Sequence, residues 1–331
     1  MDFTEDQKHI ILAVDGLGRQ KKSITLEGIR DYVGWTSWKK DLQSLNDELE
    51  GLIQGRLISR MESTISLTKE GHALAKELDG EGFGKWMVSC ELSQSYRKFC
   101  MRVFGVERCQ FDMMTQKQFE KLLEVLNIRA EERVLDLGCS TGSVAETIAD
   151  LTGANVTGID FSTNAIRFAL EKNRERQDRL SFQVMDMDDL SLPPKNFDVV
   201  IAIDTLYFVS NLSHIIAAIK VCLRENGRMG IFYSTHIKDK EPKEMLLPEG
   251  TLLAKALRDN GLSFETREFT DDEKGVWERS IQAGDELREE FDAEGNGGIL
   301  DDRIYEAKMH MADFEAGRVR RYLYRVQIAQ E

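Results

Sequence analysis

Apolar residues along the first eighty positions recur at helical spacing. Thr4 caps a segment whose apolar face is Ile10, Ile11 and Val14, and Leu26–Val33 forms a second short helix. A third helix opens near Ser37 and carries Leu42, Leu45, Leu49 and Leu52 on one face. LISRM and TISLT flank Glu62-Ser63 as a two-strand hairpin, and Thr68 opens a fourth helix, TKEGHALAKEL. The glycine-rich DGEGFG (Asp79–Gly84) is expected as a spacer. Residues 85–128 read as helical, with a stripe of Tyr96, Phe99, Phe104, Phe111, Met113, Met114 and Phe119. Such stripes usually pack into a core, and this one is also placed to cap a ligand pocket on the next domain.

From Arg133 the rhythm changes. RVLDLG, NVTGIDF, SFQVMD, FDVVIAI, RMGIFYS and SFETREF read as strands. SVAETIADL, TNAIRFALEKN, SHIIAAIKVCL and Thr251–Asn260 read as the helices between them. Apolar strands alternating with amphipathic helices predict an α/β, Rossmann-like, mostly parallel sheet covered on both faces. A helical stretch over 271–317, turned back at EGNGG (Glu294–Gly298), precedes a last strand, RRYLYRVQI. The order of the first elements resembles a winged helix-turn-helix domain. The expected organisation is therefore a winged-helix-like domain at 1–80, a helical linker or cap at 81–128, and an α/β domain at 129–331.

Composition narrows the use of these parts. The chain has 331 residues, 41% hydrophobic and 31% charged, with a net charge of −14. That balance argues against a sequence-blind grip on nucleic acid. Residues 1–80 hold 11 Lys/Arg against 14 Asp/Glu, and the presumed recognition helix pairs Lys39 and Lys40 with Asp41, Asp47, Glu48 and Glu50. Carboxylates there face phosphates badly, so packing against a partner domain or a second copy in a homodimer is the favoured use. No apolar run approaches a membrane span, and MDFTEDQKHI lacks a signal-peptide core, so the expected compartment is the cytoplasm. Five scattered cysteines without a CxxC pair, and no HExxH, speak against a disulfide framework or a metal site.

The strongest chemical signal is Asp136-Leu-Gly138-Cys-Ser140-Thr-Gly142, between a strand and a helix. A turn poor in side chains lets a ligand approach backbone N–H groups. Asp160 and Asp186 end the next two strands, where carboxylates can accept ribose hydroxyls and an exocyclic amine. A dinucleotide turn aligned on Gly138 needs glycine at 140 and 143, where this chain has serine, and no GK[ST] phosphate loop occurs.

VLDLGCSTG, GIDFS, VMDMDDL and FDVVIAIDTLYFV, in that order and spacing, resemble the motifs of the class I S-adenosylmethionine-dependent methyltransferase family. The likeness covers roughly residues 111–270 and the last strand, and departs from the usual first motif at Ser140, where the middle glycine stands. It implies S-adenosyl-L-methionine as cofactor. Gly138, Ser140 and Gly142 would admit its methionine part, Asp136 would support the turn and attract its amine, and Asp160 would hold the ribose. Phe161 would lie on the adenine face, Asp186 and the Met187 N–H would meet the adenine edge, and the Ile203 backbone would lie beside the amine. The resemblance also implies an antiparallel strand at the sheet's edge, which RRYLYRVQI fits.

For catalysis the sequence offers Asp204 and Tyr207 just past the fourth strand, with Tyr207, Phe208 and Tyr96 as pocket-lining residues and His214 and His236 as lesser candidates. Base-modifying nucleic acid methyltransferases of this fold resemble one another in an (Asn/Asp/Ser)-Pro-Pro-(Tyr/Phe) tetrapeptide there; Asp204-Thr-Leu-Tyr207 points instead to a small-molecule acceptor. Residues 235–318 hold 12 Lys/Arg and 22 Asp/Glu, an acidic field that would attract an amine. The competing expectations are a transcriptional regulator whose α/β half senses the cofactor, and a protein methyltransferase with an open acceptor cleft.

Overall fold

Helix α1 (Glu5–Arg19) begins where the Thr4 hydroxyl accepts the Gln7 N–H at 3.1 Å and the Gln7 side chain returns to the Thr4 N–H. In this computed structural model, which describes residues 3–19, 24–33, 42–61 and 64–328, the chain forms two units, Met1–Phe83 and Gly84–Glu331. In the first, α2 (Leu26–Val33) and α3 (Leu42–Gln54) follow α1, and Leu45, Leu49 and Leu52 of α3 share a core with Ile10, Ile11, Val14 and Ile29. Strands β1 (Ile58–Met61) and β2 (Thr64–Leu67) pair antiparallel and add Ile58, Ile65 and Leu67 to that core. Arg60 of the hairpin bonds Asn46 and approaches Glu50 at 3.5 Å. The expected cap at Ser37, the Lys39-Lys40-Asp41 run and the Glu62-Ser63 turn lie outside the described residues.

The expected spacer is helix. Helix α4 (Lys69–Leu92) starts in the first unit, runs unbroken through Asp79–Gly84 and ends in the second. Gly80, Gly84, Met87 and Cys90 are buried at helical spacing. Each glycine costs a helix about 1 kcal/mol relative to alanine. At Gly84 the glycine is required: a Cβ there would collide with the Ser162 hydroxyl.

The second unit continues with α5 (Gln94–Phe104), an irregular segment over 105–115, and α6 (Gln116–Leu126), each helix capped by a hydroxyl, Ser93 and Thr115. Then come β3 (Arg133–Leu137), α7 (Ser143–Thr152), β4 (Asn155–Asp160), α8 (Thr163–Lys172) and β5 (Leu180–Val184). The chain returns through β6 (Phe197–Ile203), α9 (Leu212–Cys222), β7 (Leu223–His236), α10 (Leu252–Asp259) and β8 (Phe264–Glu268). Helices α11 (Thr270–Ala293) and α12 (Gly297–Glu315) lead into β9 (Val319–Gln327).

The sheet order is β5-β4-β3-β6-β7-β9-β8, with only β9 antiparallel to its neighbours. Alternate strand residues serve opposite faces. Val134, Val199, Ile201 and Phe232 meet α6, α7 and α8, whereas Leu135, Val200, Ile231 and Tyr324 meet α9 and α10. The strand expected at the edge is internal: β9 pairs with β7 from Arg228↔Gln327 to His236↔Val319 and with β8 from Phe264↔Val326 to Glu268↔Tyr322. Tyr322, Leu323, Tyr324 and Val326 fill cores on both faces, which suits a covered strand, and the more exposed β8 takes the edge. Helices α11 and α12 leave and re-enter at the carboxyl end of the parallel strands. Glu294 in their connection accepts the Ser93 hydroxyl at 2.6 Å and the Ser95 N–H at 3.0 Å, fixing the pair's tip to the start of α5.

Candidate functional site

The chain order reverses between β3 and β6, and the turns leaving their carboxyl ends touch. Gly138 and Gly142 adopt φ +73° and +83°. A Cβ on Gly138 would run into the Thr205 methyl, and one on Gly142 would lie 2.7 Å from the Phe182 ring. Ser140 takes the same left-handed conformation at φ +49°, at a cost of about 1–2 kcal/mol for a residue with a Cβ. Its N–H donates to Asp160 Oδ2 at 2.9 Å, and the Ser162 N–H donates to Asp160 Oδ1 at 2.9 Å. Asp160 therefore ties the first turn to the cap of α8, and each oxygen retains a second lone pair.

Asp136 is 3% exposed, and its Oδ2 has no hydrogen-bond partner among the described residues. Burial, with Asp112 and Asp160 adding negative charge, pushes its carboxyl up to about 7, and Arg108 pulls it back. Arg108 is the counterpart that sequence reasoning missed. It is buried over the Phe119 ring, bonds Gln110 through Nε and Nη2, and leaves Nη1 unpartnered. In sequence Arg108 is one of several charged residues in the 85–128 stretch, beside Glu107 and near Asp112, and nothing there singled it out. Gln110 organises the segment, giving its amide to Asp112 and to the Met114 carbonyl, while its own carbonyl accepts the Tyr96 hydroxyl.

The remaining cofactor candidates line the same end of the sheet. Asp186 lies two residues beyond β5 rather than in it and caps a short 3-10 turn, Met187–Asp189, by accepting the Asp188 N–H. Phe161 follows β4 directly and is half-buried; Ile203 closes β6 opposite Phe232. Glu91, also missed, is buried at the start of α7. Its Oε1 accepts the Thr141 and Ser143 hydroxyls at 2.8 and 2.6 Å, and Lys172 approaches it at 3.2 Å.

The catalytic candidates Asp204 and Tyr207 lie in one hydrogen-bond network. Asp204 receives a bidentate Arg321 guanidinium at 2.5 and 2.8 Å, the Tyr207 hydroxyl at 2.8 Å and the Met113 N–H at 2.9 Å. Each of its oxygens thus accepts two hydrogen bonds from the protein itself. Arg321 is 0% exposed and also bonds Gln118 and the Ser234 hydroxyl. The Tyr207 hydroxyl accepts the Ser234 N–H at 2.7 Å, and burial beside Asp204 raises its pKa well above the ordinary value, so it stays a phenol. Glu273 of α11 closes this network on Ser234 at 2.7 Å. Tyr96, expected as a pocket-lining residue, is fully buried, stacked on Phe99 and edge-on to Trp86. Phe208 is 67% exposed and meets Tyr207 edge-on, so these two rings alone of the expected lining residues face outward.

Residues 134–227 match the family described as Methyltransferase domain. A phosphoethanolamine N-methyltransferase of Haemonchus contortus, solved with S-adenosyl-L-methionine, superposes with a TM-score of 0.61 at 17% identity, covering 75% of this chain and 60% of that one. The Gly84–Glu331 unit has the class I methyltransferase fold. Among curated relatives, the sterol 24-C-methyltransferase ERG6B of Gibberella zeae is 28% identical over 208 residues, 62% of this chain and 50% of that protein. The 27-O-demethylrifamycin SV methyltransferase of Amycolatopsis mediterranei is 30% identical over 127 residues, 38% of this chain and 47% of that protein. The chain thus spans about half the length of these relatives. In the strand order of that fold, β9 is the reversed strand between the fifth and sixth. No helix among the described residues is long and apolar enough to cross a membrane, and none of their His, Cys, Asp and Glu side chains cluster as a metal site.

Proposed function

We propose that this chain is an S-adenosylmethionine-dependent methyltransferase of a small-molecule acceptor. The observation that carries the reading is a pair of oppositely charged, buried and unpartnered groups, Asp136 Oδ2 and Arg108 Nη1, beside the glycine-lined turn at the switch point. An amino-acid zwitterion satisfies both: its ammonium on Asp136 and its carboxylate on Arg108. Asp160 would take the ribose hydroxyls on its free lone pairs, Phe161 the adenine face, and Asp186 with the Met187 N–H the adenine edge; the Ile203 backbone would flank the ammonium. When bound, this cofactor supplies a methyl group activated on a sulfonium.

The protein's share is to place the acceptor in line and keep water out, which is worth about 7–11 kcal/mol in favourable cases. With Asp204 and Tyr207 engaged in structure, the geometry favours an acceptor atom that needs no strong base, such as an amine nitrogen with its lone pair free. The excess of carboxylates over residues 235–318 supports the same preference. The three helices and hairpin of the first unit support a winged-helix-like module used for packing or homodimer formation, and the buried free cysteines fit a reducing, cytoplasmic setting. Titration calorimetry with S-adenosylhomocysteine, followed by a methyl-transfer panel of amines, phenols, thiols and carboxylates, tests the reading. Micromolar binding and turnover of amines are expected; no heat at millimolar ligand would remove the proposal.

A further inference from the structure

Helix α12 carries Arg303, a side chain 1% exposed and outside the network described above. Its Nη1 bonds Glu306 at 2.8 Å, while Nε and Nη2 have no partner among the described residues. The guanidinium lies 4.9 Å from the centre of the Phe111 ring and 5.8 Å from that of Trp277. One face of α12 continues through buried Ala307 to His310, whose Nδ1 is also buried and unpartnered and whose ring stacks on Trp277 at 4.4 Å. Burial and neighbouring His236 push His310 down to about 4, so the imidazole is neutral near pH 7 and the positive charge belongs to Arg303.

Nε and Nη2 form the edge of a guanidinium that grips a planar carboxylate or a phosphate with two parallel hydrogen bonds. A folded protein rarely buries such an edge unused. The Phe111 and Trp277 rings lie beside the guanidinium, and among the described residues its one acidic hydrogen-bond partner is Glu306, on Nη1 and not on this edge.

The location connects it to the proposed chemistry. Phe111 belongs to the segment that also supplies Arg108 beside Asp136 and gives the Met113 N–H to Asp204. Trp277 reaches Glu273 through Nε1, and Glu273 accepts the Ser234 hydroxyl near the carboxyl end of β7. Both walls of the Arg303 site are thus continuous with the end of the sheet where a methyl group would be delivered.

We propose that Arg303 recognises an anionic group, a carboxylate or a phosphate, on the methyl acceptor, with His310 and Trp277 completing the subsite. The proposal rests on the methyltransferase reading and deepens it: the acceptor is zwitterionic, its amine drawn by the acidic outer field and its anion by the one fully buried cation of α12.

The test is calorimetry on the full chain with three probes, ethanolamine, glycine and O-phosphoethanolamine, each with and without S-adenosylhomocysteine. One of the two anionic probes is expected to bind at least tenfold more tightly than ethanolamine, and which one wins separates carboxylate from phosphate. Arg303→Met is expected to erase that preference while leaving S-adenosylhomocysteine affinity unchanged. Should Arg303→Met fail to fold, the Arg303 Nε–H resonance of the wild-type chain supplies a second readout, shifting with the anionic probes and not with ethanolamine. Equal binding of all three probes, no binding of any, or a preference that survives in Arg303→Met overturns the subsite. Loss of S-adenosylhomocysteine binding in the wild-type chain would instead overturn the underlying methyltransferase reading, since the probe titrations without it stand separately.

Discussion

Asp136 would couple the proposed cofactor hollow to pH. Its carboxyl sits near 7 because it is buried beside Asp112 and Asp160, and an unfolded aspartate titrates near 3.9. The folded state thus holds the proton more tightly. The associated stability is fully present below about pH 4 and is lost as pH rises through about 7. Ligand affinity runs the other way, because an ammonium prefers the ionised carboxylate. Affinity for S-adenosylhomocysteine is expected to rise by up to about tenfold per pH unit between 5.5 and 7 and to level off above, with Asp136→Asn flattening the profile. Calorimetry in buffers of different ionisation enthalpy would read the released proton. Arg321 makes a different prediction. Truncating one partner of a buried pair strands the other, so Arg321→Met is expected to cost about 3–5 kcal/mol in urea unfolding. A cost below about 1 kcal/mol would contradict the anchoring role given to Asp204. The three aspartates were legible in the sequence because each lies at or near the carboxyl end of a segment that reads as a strand, Asp136 within β3, Asp160 at the end of β4 and Asp186 two residues past β5. Arg108, Glu91, Arg303 and Arg321 were not, because what defines them is a partner, or a missing partner, brought near only by the folded chain.

At the scale of elements, alternating strands and helices were readable because the period of burial changes from helix to strand at Arg133. DGEGFG was misread for a physical reason. Glycine in sequence signals freedom, yet Gly84 marks a place where α4 passes too close to Ser162 for any side chain. Gly84→Ala is expected to destabilise the chain by about 1–3 kcal/mol, because the Ser162 hydroxyl must leave the cap of α8, whereas Gly82→Ala, with open space at its Cβ, is expected to be neutral or stabilising. Differential scanning fluorimetry of the two variants side by side decides this, and equal melting temperatures would refute it. The internal position of β9 was likewise hidden. Hydrophobic alternation gives a strand's faces but not its neighbours, and here the tyrosines buried on one side of β9 and Leu323 on the other are what place it between β7 and β8.

For the whole molecule, a net charge of −14 sets the outward behaviour. The chain as a whole and its first eighty residues both carry more Asp and Glu than Lys and Arg. Fluorescence anisotropy of a duplex DNA is therefore expected to stay flat up to about 10 µM protein at about 50 mM salt, where basic DNA-binding domains saturate. Salt-sensitive binding would reassign the first unit. Glu91 extends this logic inward. Helix amino termini are where α/β proteins commonly cradle a pyrophosphate, and at α7 the neighbouring hydroxyls already hold the protein's own carboxylate. A phosphate approaching that end of α7 would find both hydroxyls already bonded to Glu91, which Lys172 pairs at 3.2 Å, so the proposed crevice would offer that group fewer free donors than a phosphate loop does.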